Sequence, residues 1–204
     1  TFRNKEYKLK LIGAFNVANA LCAVACCSLL DIKPEDACKI LEGFLGTKRR
    51  LEVLGKSNNI TVIDDFAHNP DKVAGSMSAL KSYTGRLIIM FQPHGFSPMR
   101  LMGKEIIDSF VEYMSKEDIL LLPEIFFAGG TVKRDISSLD LVNYAKRHNI
   151  DARYFATRDE LKQHILEIAK PHDRIVLMGA RDNSITDMGF EILEFKLLKI
   201  IRGK

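Results

Sequence analysis

Arg86-Leu87-Ile88-Ile89-Met90-Phe91-Gln92-Pro93-His94 is an apolar run that stops abruptly at polar residues. A strand with one wet face alternates apolar and polar side chains. A strand covered on both faces does not. Similar unalternated runs recur as Ile119-Leu120-Leu121-Leu122 and Arg174-Ile175-Val176-Leu177-Met178, with shorter ones at Val62-Ile63 and residues 152–155. Segments of helical length and period separate them, at 70–83, 104–114, 139–148, 159–169 and 186–201. This order predicts an α/β fold: a mostly parallel sheet with helices on both faces. Ligands of such sheets sit outside the carboxyl ends of the strands. Those ends carry Asp64-Asp65, Gln92-Pro93-His94, Pro123-Glu124 and Gly179-Ala180-Arg181-Asp182.

Residues 1–50 read differently. A short strand is expected at 7–11, then a small-residue helix beginning near Asn16. A second helix follows Lys33-Pro34-Glu35-Asp36, where Pro and two acids suit a first turn, and ends near Gly43. The chain of 204 residues is 47% hydrophobic and 27% charged, enough to bury a core, which excludes a disordered class. Its apolar runs, such as residues 21–30, are too short to span a bilayer, so no membrane role is expected. The first residues lack the apolar stretch of a signal peptide and an initiator Met, and the chain is expected to begin partway through a gene product. The net charge of +4 is spread among acids, which argues against nucleic acid as a partner. Cys22, Cys26, Cys27 and Cys38 have no repeated C-x-x-C spacing and are expected as buried free thiols of a reducing cytosol. No metal ligands are assigned.

Several polar groups have both a structural and a chemical reading. In Asp64-Asp65-Phe66-Ala67-His68-Asn69-Pro70 a carboxylate suits a ribose hydroxyl and the helix start beyond suits phosphate; equally, Asp65 or Asn69 caps the helix and His68 belongs to a loop. Lys48-Arg49-Arg50 is either a phosphate clamp or a solvated charge run. Asn16 and Asn19 share a helix face and suit an adenine edge, or Asn16 is an N-cap and Asn19 a packed polar group. His94 is a ligand or a loop residue. Neither G-x-x-x-x-G-K-[ST] nor G-x-G-x-x-G occurs.

Taken together, these segments resemble the Mur ligases. Gly13-Ala14-Phe15-Asn16-Val17-Ala18-Asn19-Ala20 resembles G-x-H-N-x-x-N-A, and Gly43 to Glu52 resembles F-x-G-x-x-R-R-x-E. Residues 64–70 resemble D-D-[YF]-A-H-H-P, and Phe91-Gln92-Pro93-His94 matches F-Q-P-H. The order and spacing point to the subgroup acting on UDP-N-acetylmuramate, which includes alanine-adding and murein-tripeptide recycling ligases. The resemblance implies that residues 1–53 end a central ATPase domain and residues 54–204 form a C-terminal Rossmann-like domain. It implies a cytoplasmic enzyme that uses ATP and Mg2+ to phosphorylate the carboxylate of UDP-N-acetylmuramate. An amino acid or murein peptide then displaces phosphate to form an amide.

By position, the resemblance implies that Asn16 and Asn19 contact adenine and Arg50 faces the γ-phosphate. Asp65 would take the ribose or phosphate side of ATP with His68 beside it, and His94 would lie near the incoming amine. The phosphate loop and metal ligands would precede this piece, which alone is expected to be inactive. Phe15 stands where the family has His, and Asn69 where it has a second His. The alanine-adding pattern R-Y-T-R is replaced by Gly95-Phe96-Ser97-Pro98-Met99-Arg100, and Arg100 is the one candidate left there for an acceptor carboxylate. Near the end, Arg181 stands where the alanine-type G-A-G-D has Gly. The acceptor is therefore open. Two alternatives remain: a related ligase with another acceptor, and a non-catalytic module binding nucleotide or murein peptide.

Overall fold

The structure is a computed structural model, and it describes residues 5–127 and 129–202. Six strands form one sheet in the order β1-β2-β6-β3-β4-β5. They are β1 (Glu52–Ser57), β2 (Ile60–Asp65), β3 (Leu87–Phe91), β4 (Ile119–Pro123), β5 (Asp151–Phe155) and β6 (Arg174–Met178). All neighbours are parallel except β1 and β2, which are antiparallel. The α/β reading is borne out.

Alternate residues of each strand enter different cores, as the two-residue period of a strand requires. Ile63, Leu87, Ile89, Phe91, Leu120 and Val176 face one cluster with helices α3 (Pro70–Lys81), α4 (Phe96–Tyr113) and α5 (Ser138–Arg147). Val62, Ile88, Met90, Leu121, Ile175 and Leu177 face the other, with α6 (Arg158–Ile168) and α7 (Ser184–Arg202). Both faces being covered explains the unalternated apolar runs.

The amino-terminal part is thinner. Helices α1 (Ala14–Ser28) and α2 (Pro34–Glu42) pack on each other around Val24, Ala37 and Cys38. The start of α1 leans on α3, because Gly13 and Phe15 approach Ala79 and Gly75.

Four expectations need correction. Residues 7–11 form no strand among the described residues; instead the Lys8 N–H donates to the Glu42 carboxylate at 3.0 Å. The cap of α1 is Gly13 rather than Asn16, whose amide donates to Ile12 O at 2.8 Å. The cysteines are free, but Cys22 and Cys26 are exposed and Cys38 alone is buried. Helix α4 begins at Phe96, eight residues before the expected 104. Gly95 turns the chain at φ 76°, and Pro98 falls in the first turn, where its missing N–H costs no bond. Arg100 is therefore a helical residue.

Strand β1 had not been expected. Its hairpin turn is Asn58-Asn59, both at positive φ (50° and 58°), where Asn is among the better-tolerated side chains.

Candidate nucleotide and acceptor sites

The carboxyl ends of β2 and β6 carry a buried polar core. Asp64 is fully buried and pairs with Arg49 at 3.3 Å, while its other contact is the Thr186 hydroxyl at 2.5 Å. The Arg49 guanidinium also donates to Gly179 O at 2.8 Å and Asn183 Oδ1 at 3.4 Å. The connector 49–51 is thus tied to both β6 and the start of α7, through residues 130 or more positions away. Arg49 and Leu51 both adopt positive φ (57° and 48°), strain that these buried bonds hold in place.

Asp65 is 2% exposed. It accepts from the Ser76 hydroxyl at 2.5 Å and the Leu51 N–H at 3.3 Å. Burial raises its pKa above the usual carboxylate range, against the pull of the Ser76, Leu51 and Phe66 hydrogen bonds and the Arg50 charge. Phe66 binds two guanidiniums, Arg49 at 5.2 Å and Arg50 at 5.3 Å from its ring centre. Its edge also meets the His68 ring at 5.4 Å.

Two cavities flank this core. The first, about 480 Å3, lies between α1, the 44–51 connector and α3. Asn16, Asn19, Arg50 and Asp65 all line it, together with Lys72, Phe15 and Ser76. Asn69 caps α3 by accepting from the Lys72 N–H at 3.0 Å. The second cavity, about 390 Å3, lies beyond β3 and β6 and is lined by His68, His94 and Arg181 with Phe96, Met102 and Phe127. His68 therefore faces the second cavity rather than the one that holds Asp65. Its Nδ1 donates to Phe66 O at 2.8 Å.

His94 stacks on Phe126 at 5.3 Å, and its Nδ1 is shielded from solvent with no hydrogen-bond partner. Burial lowers its pKa below the ordinary imidazole value, helped by Arg181 and His68 nearby. Arg100 lies outside both cavities. It pairs with Asp135 and donates to Lys133 O, and it lines a separate cleft with Lys104 and Tyr144. Arg49 and Phe66 were not singled out from the sequence, and Arg181 stood out there only as a departure from G-A-G-D. Arg49 was visible only as one of a cationic run, and nothing local distinguishes the buried cation from its neighbours. Among the described residues, no group of three or more His, Cys, Asp or Glu is placed to hold a metal ion. No helix among them is long and apolar enough to cross a membrane.

Residues 49–181 match the family described as "Mur ligase, glutamate ligase domain". The chain belongs to the Mur ligase family. Curated relatives include UDP-N-acetylmuramate--L-alanine ligases of Agathobacter rectalis, 31% identical over 93% of this chain and 40% of that protein, and of Geobacter sulfurreducens, 35% identical over 88% and 38%. Among solved structures, the UDP-N-acetylmuramate-alanine ligase of Thermotoga maritima shares the fold at a TM-score of 0.76 and 23% identity, over 95% of this chain and 40% of that one. A murein peptide ligase from Psychrobacter arcticus follows at 0.64 and 22%, over 97% and 41%. The chain thus spans about 40% of the length of the Mur ligases it matches.

Proposed function

We propose that this chain is the carboxyl-terminal part of an ATP-dependent cytoplasmic ligase that joins an amino acid or peptide to UDP-N-acetylmuramate. We take residues 1–53 as the end of its ATPase domain and residues 54–204 as its C-terminal domain. The observation that supports this best is the first cavity, which gathers Asn16, Asn19, Arg50 and Asp65 from three separate segments. Its volume suits a nucleotide, and its donors suit an adenine edge and a phosphate. No carboxylate cluster suited to Mg2+ accompanies them among the described residues, so the metal's ligands are assigned to the rest of the ligase.

In this reading Asn16 and Asn19 hold adenine, and Asp65 keeps lone pairs for the ribose side while its bonds to Ser76 and Leu51 fix the wall. Arg50, steered by the Phe66 ring, faces the terminal phosphate. ATP supplies the phosphoryl group that makes the substrate carboxylate reactive. The acceptor amine enters the second cavity. His94, kept neutral by burial, takes the proton that the amine loses as its nitrogen bonds to the carboxyl carbon and phosphate departs. His68 stands beside it.

Titration with ATP tests the nucleotide site. In the intact labelled ligase, saturable shifts at Asn16, Asn19 and Arg50 are expected, and their absence there would sink the reading. In the intact ligase, Arg50→Ala is expected to lower kcat about 10²-fold or more, because it removes a fixed cation from a charged transition state.

A further inference from the structure

The second cavity narrows the class of acceptor, and this step rests on the ligase reading above. One wall is apolar: Phe96, Met102, Phe127 and Val132. The other carries His68, His94 and Arg181, and among the described residues no carboxylate lines the cavity. Arg134 packs on two rings of the apolar wall, its guanidinium 3.8 Å from the Phe127 ring centre and 5.9 Å from that of Phe96. Arg100 cannot serve here, since Asp135 holds it in the neighbouring cleft.

These facts exclude as well as admit. A ligand carboxylate finds Arg181. A second ammonium on the ligand would meet the Arg181 guanidinium and no lining carboxylate among the described residues, and an ammonium that leaves water without a paired carboxylate is penalised. A methyl side chain such as alanine's leaves most of the apolar wall in contact with water, whereas a branched, thioether or aromatic side chain covers it. We propose that the cavity takes an α-amino acid with a large uncharged apolar side chain, of the leucine, methionine or phenylalanine class. Its carboxylate lies toward Arg181 and its side chain lies against Phe96, Met102, Phe127 and Val132.

The test uses the intact ligase with labelled backbone amides and methionine methyls. L-leucine, L-alanine, L-lysine and leucinamide are titrated separately, and ATP in a further sample. Leucine is expected to shift the Met102 methyl saturably at a concentration at least about tenfold below that needed for alanine, since even one methylene in an apolar pocket discriminates by about 10- to 200-fold. Lysine is expected to give no saturable shift. Val132→Asp, at a position 40% exposed, is expected to weaken leucine at least about tenfold while leaving the ATP shifts at Asn16 and Asn19 unchanged. Arg181→Asn suits the local φ of 63° and is expected to erase the preference for leucine over leucinamide. Alanine binding as well as leucine, or no shift at Met102 with any amino acid, overturns the proposal. Loss of the ATP shifts alone would instead overturn the ligase reading, because the leucine titration does not depend on nucleotide.

Discussion

Arg49 shows how much can rest on one side chain. It neutralises a carboxylate that has no solvent contact and holds two backbone residues at positive φ. Removing it leaves the buried Asp64 carboxyl without its cation and with the Thr186 hydroxyl as its remaining partner among the described hydrogen bonds. Arg49→Ala is expected to destabilise the fold by about 3–5 kcal/mol, measurable by urea denaturation. Arg49→Lys should recover only part, because one ammonium cannot reach Asp64, Gly179 O and Asn183 in the same fork geometry. A mutant as stable as the parent would show that the connector is not held there. His94 is a second residue-scale case. Its folded pKa lies below the unfolded value of about 6.5, so the unfolded chain binds the proton more readily. Stability from this group is full above that value and falls as pH drops through the window down to the lowered one. His94→Gln should flatten that part of a Tm-against-pH profile, and an unchanged profile would contradict the assignment.

At the scale of elements, Asp118 clamps three of them. Burial alone would raise its pKa, but the Leu87 N–H, Lys81 and the Ser115 N–H and hydroxyl together hold it below the usual carboxylate range. The clamp joins the start of β3, the end of α3 and the turn into β4, at the amino ends of these strands and away from the candidate sites. Asp118→Ala is expected to cost about 2–4 kcal/mol without altering ATP-induced shifts at Asn16, since the two lie at opposite ends of the sheet. Gly189 is the complementary case on α7. A Cβ there would collide with Leu54 of β1 and meet Leu177 of β6 at 3.1 Å. Gly189→Ala should therefore cost about 1–3 kcal/mol by prising the helix from the hairpin, despite alanine's better helix propensity. Thermal denaturation of that variant distinguishes the two effects by sign.

Across the whole molecule the two parts differ in how much they bury. The sheet and its five helices enclose two large clusters, while α1 and α2 enclose Val24, Ala37 and Cys38. Leu21, Leu29, Leu30, Ile40 and Leu45 remain more than half exposed in this chain. Amides of α1 and α2 are expected to exchange with solvent about a thousandfold faster than those of β3 and β6, a difference of ~4 kcal/mol in opening free energy. Equal protection would mean that the amino-terminal helices unfold only with the sheet.

The α/β alternation was legible because each strand is covered on both faces, and that condition writes itself into composition as unbroken runs such as residues 87–91. Asn69 as a cap and the gathering of Asn16, Asn19, Arg50 and Asp65 in one cavity were likewise foreshadowed, the latter through the motif resemblance. Strand β1 was not legible, because Glu52-Val53-Leu54-Gly55-Lys56-Ser57 lacks the signature of a covered strand; it is an edge, and its pairing depends on a two-residue turn. The start of α4 was misplaced by eight residues; Pro98 sits in its first turn, a placement that only the backbone shows. Local pattern by itself determined which segments are strands and helices wherever burial imposes a period. Only the tertiary structure decided which of three adjacent cations is buried, that His68 turns to the second cavity, and that Arg100 is spent on Asp135. The placements of Arg49 and Arg100 depend on partners 15 to 134 residues away, and no local pattern encodes contacts of that range.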